Sequence, residues 1–236
     1  MQNNIIGNGL LARAFSNTII DNSLIFCSGV SNSQEVQPEA FLREENLLKE
    51  ALSKHNDKCF IYFSSVAAPT LANLYFKHKI NMERLIKVSS NNYLIFRLPY
   101  VAGIALNTTL FPTIVENIYL QKKFTVYKNA TRTIVDIEDV VEIVNIIAKQ
   151  SIKNKVINVC PNYFFQPEYL VRLVSKQLGI EPFYDVVNLG DQLLCIQDDS
   201  FEGIIISDFF SKKSDYLESV IKKYTPEIVK LINLKQ

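Results

Sequence analysis

The chain has 236 residues and a formal net charge of +1, since 25 lysines and arginines balance 24 aspartates and glutamates. Apolar residues make up 48% of the sequence, which excludes intrinsic disorder as its main state. The near-zero charge argues against a nucleic-acid binder with a broad basic face. No segment approaches the roughly 20 apolar residues of a membrane span, and the amino terminus lacks a signal-peptide pattern. We therefore expect a cytoplasmic protein with no membrane span and no nucleic-acid partner.

Apolar runs and helical periodicity predict alternating strands and helices. The predicted strands lie at 5–6, 23–27, 59–63, 93–98, 124–127, 155–159 and 203–206. The predicted helices lie at 13–15, 38–53, 71–88, 109–120, 136–150, 167–178 and 215–224. The early strands are continuous apolar runs, which is typical of strands buried on both faces of a parallel sheet. The order of elements therefore predicts an α/β fold built from βαβ units.

A glycine-rich turn follows the first strand. Gly7-x-Gly9-x-x-Ala12 stands between a strand and a helix, as the dinucleotide fingerprint requires. Gly7 would allow the tight turn, Gly9 would let the backbone approach a pyrophosphate, and Ala12 would let the helix pack closely on the strand. A tight turn without a ligand would look the same. The acidic residue that usually binds the adenine ribose is absent after the next strand, and Arg13 near a 2′-phosphate would favour NADP, so NAD and NADP both stay open.

A serine pair, a tyrosine and a lysine form a second pattern. Tyr75 and Lys79 lie four residues apart on a predicted helix and therefore face the same way. A lysine ammonium near a tyrosine hydroxyl favours the phenolate, and such a tyrosine can exchange a proton with a substrate oxygen. Ser64-Ser65 ends the preceding strand, where parallel sheets place their ligands. An ordinary surface pair of Tyr and Lys is the alternative.

The cysteines are expected to be structural. Cys27, Cys59 and Cys160 each lie in or beside an apolar run, where a reduced, buried thiol packs as a small hydrophobe. No two cysteines form a Cys-x-x-Cys pair, and the chain has only two histidines. We therefore expect no metal site.

Taken together, these motifs resemble the short-chain dehydrogenase/reductase superfamily, in its extended branch of nucleotide-sugar epimerases, dehydratases and reductases. The resemblance runs through most of the chain. It rests on the segments 7–12, 26–30, 46–48, 62–67, 75–83, 96–103 and 132–140.

The resemblance implies a Rossmann-like, doubly wound parallel sheet and a function. The cofactor-binding core would span 1–160, and a small substrate-side lobe would span 161–236 and pack with it as one unit. NAD or NADP would carry a hydride while Tyr75, Lys79 and Ser65 act on a nucleotide-activated sugar. The implied cofactor contacts are Gly7, Gly9, Leu10, Ser28, Gly29 and Lys79. The implied substrate contacts are Asn107, Tyr127 and Arg132, with an ordinary ion pair as the alternative for Arg132. Members of this family often pair as homodimers through the helix that carries the tyrosine.

The chain departs from the family pattern in its length before the second strand. Only about ten residues separate Ala12 from Ser23, where the family has two further strands. The sheet is therefore expected to lack about two strands on its adenosine side. Ser65 and Tyr75 are also only ten positions apart, which is a short connection. The sequence predicts an NAD(P)-dependent nucleotide-sugar reductase or epimerase. A non-catalytic sugar-nucleotide-binding or assembly protein of the same fold is the first alternative, and a reductase of a small non-sugar carbonyl is the second.

Overall fold

The computed structural model describes residues 4–107, 109–193, 195 and 199–235. Its strands are β1 (Ile5–Ile6), β2 (Ser23–Phe26), β3 (Cys59–Ser65), β4 (Tyr93–Leu98), β5 (Tyr100–Ala102), β6 (Phe124–Tyr127), β7 (Ile134–Asp136), β8 (Lys155–Asn158) and β9 (Tyr184–Val187). Its helices are α1 (Leu10–Phe15), α2 (Pro38–Lys54), α3 (Leu74–Ser89), α4 (Leu110–Tyr119), α5 (Ile137–Ala148), α6 (Pro167–Leu178), α7 (Phe201–Ser211) and α8 (Tyr216–Asn233). These elements divide between two compact units, except that α7 contributes residues to both.

The first unit contains the main sheet and takes its described residues from 1–98, 137–160 and 194–206. Within those residues the strand order is β1-β2-β3-β4-β8, and every neighbouring pair is parallel. All four residues of β2 are buried, as the continuous apolar runs predict. This confirms the predicted parallel α/β sheet. In the described part of the chain β1 pairs with β2 alone, so the sheet ends where the resemblance implies two more strands.

Successive side chains of β3 point to opposite faces of this sheet. Phe60 and Tyr62 belong to a core cluster with Leu48 of α2 and Met82 of α3. Phe63 points the other way, and its ring centroid lies 5.5 Å from that of Phe15 on α1. The face toward α2 and α3 is the one that holds the polar cluster described below.

The second unit takes its described residues from 99–136, 161–193 and 207–236. Two short parallel pairs, β5 with β7 and β6 with β9, accompany the mutually packed helices α4, α6 and α8. The chain thus leaves the first unit at Pro99 and returns to it at Ile137. The predicted boundary at residue 160 differs from this division, because residues 99–136 pack with the second unit. The assignment of a cofactor core and a substrate lobe to 1–160 and 161–236 stays a prediction.

Three local expectations differ from the structure. The predicted strand at 203–206 is part of α7, because the Ser200 hydroxyl accepts from the Gly203 amide at 3.1 Å and caps a helix there. The last helix continues past Tyr224 to Asn233. Cys160 forms a disulfide with Cys195, so the prediction that it is a reduced thiol is wrong. Among the described helices, none is both long and apolar enough to cross a membrane.

Candidate active site

The glycine turn lies against the end of β2. Gly7 has a φ of +126°, and a Cβ there would come within 2.7 Å of the backbone carbon and oxygen of Cys27. Gly7 is therefore required by the close approach of two backbones. Gly9 differs, since its φ of −75° is ordinary and a Cβ there would meet nothing within 4 Å. Neither packing nor backbone conformation demands a glycine at this position, so its role as a cofactor contact stays a prediction.

Two exposed arginines lie beside this turn. Arg13 of α1 donates to the carbonyl of Asn8 at 3.2 Å. Arg43 of α2 donates to the hydroxyl and the carbonyl oxygen of Ser28, at 3.2 Å each. Ser28 is thus already bound on one side by a guanidinium. Both cations stand at the carboxyl edge of β1 and β2, where an anionic ligand would be attracted.

Lys79 lies in a buried polar cluster on the α2–α3 face of the sheet. Its ammonium donates to Glu44 Oε1 at 3.1 Å and to the Tyr62 hydroxyl at 3.1 Å. Tyr62 in turn donates to Glu44 Oε1 at 2.6 Å, and His78 Nε2 lies 3.1 Å from Glu44 Oε2. The backbone amide of Val30 completes the shell around this carboxylate at 2.6 Å. Lys79 is only 2% exposed and Glu44 is fully buried, so the two charges neutralise each other away from solvent.

Charge balance keeps Glu44 ionised. Burial alone would raise the pKa of Glu44, but the attraction of Lys79 and the hydrogen bonds from His78, Tyr62 and Val30 lower that pKa to about 2. Gly29 leaves the space that this pair occupies, because a Cβ on it would come within 2.7 Å of the Lys79 ammonium and 2.9 Å of Glu44 Oε1. The role of Gly29 seen here is therefore to admit the ion pair.

Helix α3 places Tyr75 one turn before Lys79. The helix begins after Asn73, whose side-chain oxygen accepts from the Phe76 amide at 2.9 Å as an N-cap. Tyr75 is 9% exposed, and the Lys79 ammonium lies 5.7 Å from the centroid of its ring. The two residues thus share one face of α3, as their spacing predicts. Their roles in catalysis stay predictions.

The two serines at the end of β3 have different surroundings. The buried Ser64 donates to Glu83 Oε1 at 2.7 Å, on the face toward α3. Glu83 is held by two hydrogen bonds from Arg97, at 2.8 and 2.6 Å. Ser65 is half-buried, and its hydroxyl accepts from the Ala67 amide at 3.3 Å. The alternation of β3 points Ser65 away from Ser64, so Ser64 and not Ser65 is seen bound on the face of α3.

The three candidate substrate residues lie in the second unit. The Asn107 side-chain oxygen accepts from the amide and the hydroxyl of Thr109, at 3.1 and 2.5 Å. Tyr127 ends β6 with 48% of its surface exposed. Arg132 donates to the carbonyls of Thr131 and Asp191, at 2.8 and 2.7 Å. These geometries leave the assignment of all three to a substrate as a prediction.

Glu44, the central residue of the polar cluster, is not among the site residues predicted from the sequence. This residue lies within the apolar stripe of α2, three residues after Phe41 and four before Leu48. A carboxylate at such a position must be buried with a partner, because an unpaired charge there is costly. That position was the available signal. The partners Tyr62 and His78 could not be named from the sequence, since each becomes a neighbour only through the fold.

No family model and no curated protein matches this sequence. Solved structures do match. One is the Bordetella bronchiseptica enzyme WbmH with NAD+, at 15% identity and a TM-score of 0.70, covering 89% of this chain and 75% of that one. Another is a Bacillus cereus UDP-glucuronic acid 4-epimerase mutant with a fluorinated UDP-glucuronic acid and NAD, at 14% identity and a TM-score of 0.74, covering 95% and 79%.

A third match is the Thermotoga maritima UDP-glucose 4-epimerase with UDP-glucose, at 17% identity and a TM-score of 0.68, covering 94% of this chain and 82% of that chain. The chain has the fold of the nucleotide-sugar epimerases. At these identities the likeness shows the epimerase fold and not the chemistry. This chain covers 75–82% of the length of these three structures. The shorter length is consistent with the prediction that two strands beyond β1 are absent.

Proposed function

We propose that this chain is an NAD(P)-dependent oxidoreductase or epimerase of the short-chain dehydrogenase type, acting on a nucleotide-activated sugar. The observation that carries the proposal is the pairing of Tyr75 with Lys79 on one face of α3, with the Lys79 ammonium 5.7 Å from the centroid of the tyrosine ring. The epimerase fold supports it, since solved proteins with that fold hold NAD or UDP-sugars. The open space at Gly9 supports it further.

The residues at the glycine turn fit a dinucleotide diphosphate. Gly9 leaves the space for its approach, and Leu10 follows at the start of α1. Ser28 and Gly29 follow the end of β2 at the same edge of the sheet and would border the nicotinamide half. When bound, the nicotinamide of NAD or NADP supplies hydride transfer at a sugar carbon. Arg13 and Arg43 would attract the phosphate charges, which partly offsets the missing adenosine-side strands.

Tyr75 would exchange a proton with the sugar oxygen as hydride is transferred. Lys79 would act on Tyr75 through its charge, since Glu44 and Tyr62 already take two of its three donor hydrogens. Ser65 would contact the substrate from the end of β3, on the side of the strand opposite to Ser64. Asn107, Tyr127 and Arg132 would contact the nucleotide sugar.

A second function is favoured by the ion pair itself. Because Glu44 neutralises Lys79 at 3.1 Å, the ammonium is less able to stabilise a tyrosine phenolate or to bind a ribose. The sheet edge at β1 also removes support for adenosine in the described part of the chain. A non-catalytic protein that binds a nucleotide sugar on the same fold would show both features.

A thermal-shift assay separates the two functions. The enzyme predicts stabilisation by NADH or NADPH, whereas the binding protein predicts stabilisation by UDP-glucose or UDP-glucuronic acid alone. Turnover of these sugars with added NAD or NADP should then be lost in Tyr75→Phe. The matched control is Tyr93→Phe at the amino end of β4, which should keep wild-type turnover. Equal turnover in the two variants would remove Tyr75 from the chemistry.

The chain also offers apolar surface for a homodimer. Leu42 on α2 and Leu74 on α3 are 57% and 54% exposed. Pairing of two copies through these helices would cover both side chains. Sedimentation of the wild type as a dimer, and of Leu74→Lys as a monomer, would support this arrangement, and a monomeric wild type would contradict it.

A further inference from the structure

The second unit contains a cavity of about 550 Å³. It lies between the loop 161–166, the start of α6 and the segment that joins α7 to α8. Every described residue that lines it belongs to this unit. Asn107, Tyr127 and Arg132 are not among the lining residues, although the backbones of Arg132 and of the lining residue Phe165 exchange two hydrogen bonds of 2.8 Å.

Aromatic rings form one continuous wall of this cavity. The rings of Tyr163 and Phe165 stack with centroids 6.3 Å apart and planes 19° apart. Tyr216 meets Tyr163 edge-on at 5.6 Å and Phe210 at 5.4 Å. This arrangement fixes the four rings against one another, so the wall is formed before any ligand arrives.

Two further rings at the cavity remain open to solvent. Phe164 is 48% exposed, and Tyr169 is 37% exposed with its hydroxyl bonded to Glu218. An exposed phenyl ring beside an aromatic-lined cavity is costly in water unless something covers it. Clustered exposed aromatic surface of this kind is typical of ligand sites.

The polar groups at the cavity favour an uncharged ligand. Lys213 supplies one ammonium, which lies 4.6 Å from the centroid of the Phe209 ring. Asp215 and Glu218 supply two carboxylates, and Arg172 adds a guanidinium that lies 5.7 Å from the centroid of the Tyr169 ring. Two cations thus balance two anions around the cavity. Asn162 and Gln166 add amides that can both donate and accept hydrogen bonds.

We infer that this cavity binds a neutral saccharide. A pyranose ring has apolar C–H faces that pack on aromatic rings, and its hydroxyls donate to carboxylates and bond with amides. The lining of the cavity offers both kinds of contact. The site would hold a sugar without a nucleotide, which goes beyond the proposed function and needs neither NAD(P) nor Tyr75.

Isothermal titration and saturation-transfer NMR on the full chain test this site without any cofactor. The probes are cellobiose, maltose and N-acetylglucosamine, with uridine and UMP as the alternative stacking ligands. At least one saccharide should bind at millimolar concentration, and neither uridine nor UMP should compete with it. Phe164→Ala should weaken that binding about tenfold or more, since it removes an exposed stacking face.

The matched control is Phe183→Ala in the same unit, which removes a ring that is 59% exposed and lies outside the lining of the cavity. Both variants should unfold at the wild-type temperature, because both rings are largely exposed. A second variant, Glu218→Gln, should weaken saccharide binding while Phe183→Ala leaves it unchanged. Failure of all three saccharides to bind, an equal effect of the two phenylalanine variants, or displacement by uridine or UMP would overturn the inference.

Discussion

Replacing Glu44 by glutamine removes one charge from the buried cluster and leaves the ammonium of Lys79 without its counter-ion. Glu44 is fully buried and only 3.1 Å from that ammonium. Lowering the pKa of Glu44 from its ordinary 4.5 to about 2 corresponds to about 3 kcal/mol of stability at neutral pH, at roughly 1.4 kcal/mol per pH unit. Removing one partner of a buried ion pair typically costs about 3–5 kcal/mol. We therefore expect Glu44→Gln to lower the free energy of unfolding by about 3 kcal/mol.

The same pair sets a pH dependence with a defined sign. The folded pKa of Glu44 is depressed, so its contribution is fully present above pH 4.5 and is lost as the pH falls toward 2. Urea unfolding followed by circular dichroism, at several pH values between 7 and the lowest at which the protein still folds, measures this. Wild-type protein should lose this stability on acidification, and the Glu44→Gln variant should lack that part of the acid dependence.

The matched control is Glu45→Gln on the same helix. Glu45 bonds Lys49 at 2.6 Å, but both side chains are substantially exposed, so its loss should cost less than about 1 kcal/mol. The double variant Glu44→Gln with Lys79→Met should recover part of the stability, since no unpaired charge remains. A Glu44→Gln protein within 1 kcal/mol of wild type, or with the wild-type acid dependence, would refute the reasoning.

Three further predictions concern two glycines and the thiols of Cys27 and Cys59. Gly29→Ala should cost roughly 1–3 kcal/mol, because the added methyl would lie 2.7 Å from the Lys79 ammonium; wild-type stability in urea would contradict this contact. Gly7→Ala should cost more, because a positive φ of +126° adds to a clash with the Cys27 carbonyl, and soluble, fully folded Gly7→Ala protein would contradict that approach. Burial raises the pKa of Cys27 to about 12 and that of Cys59 to about 11, so iodoacetamide at pH 8 should label neither thiol until the protein unfolds; mass spectrometry of native, labelled protein would show otherwise.

The sheet could be predicted from the sequence because its strands are short apolar runs with turn residues between them. Because β2 and β3 are buried on both faces, each is a nearly continuous run of apolar residues. Such a run can be recognised from adjacent residues in the sequence alone. The three-isoleucine run of α7 shows the limit of that signal. Its β-branched residues favour a strand, yet Ser200 caps a helix that begins just before them.

The division into units and the polar cluster depend on distant pairings. β5 and β7 have three residues each and lie more than thirty residues apart, so nothing local indicates that they pair. The spacing of Tyr75 and Lys79 could be predicted because both lie on one helix. The counter-ion of Lys79 could not, since Glu44 comes from another helix thirty-five residues away.

Binding of a dinucleotide at Gly9 tests the proposed enzyme most directly. Isothermal titration of NADH and NADPH into the wild type and into Gly9→Ala separates ligand binding from folding, because a Cβ at Gly9 meets no protein atom within 4 Å. We predict that one of the two dinucleotides binds the wild type and binds much more weakly to Gly9→Ala, with unchanged unfolding temperature. No binding of either dinucleotide at millimolar concentration, or equal binding by both proteins, would contradict the account.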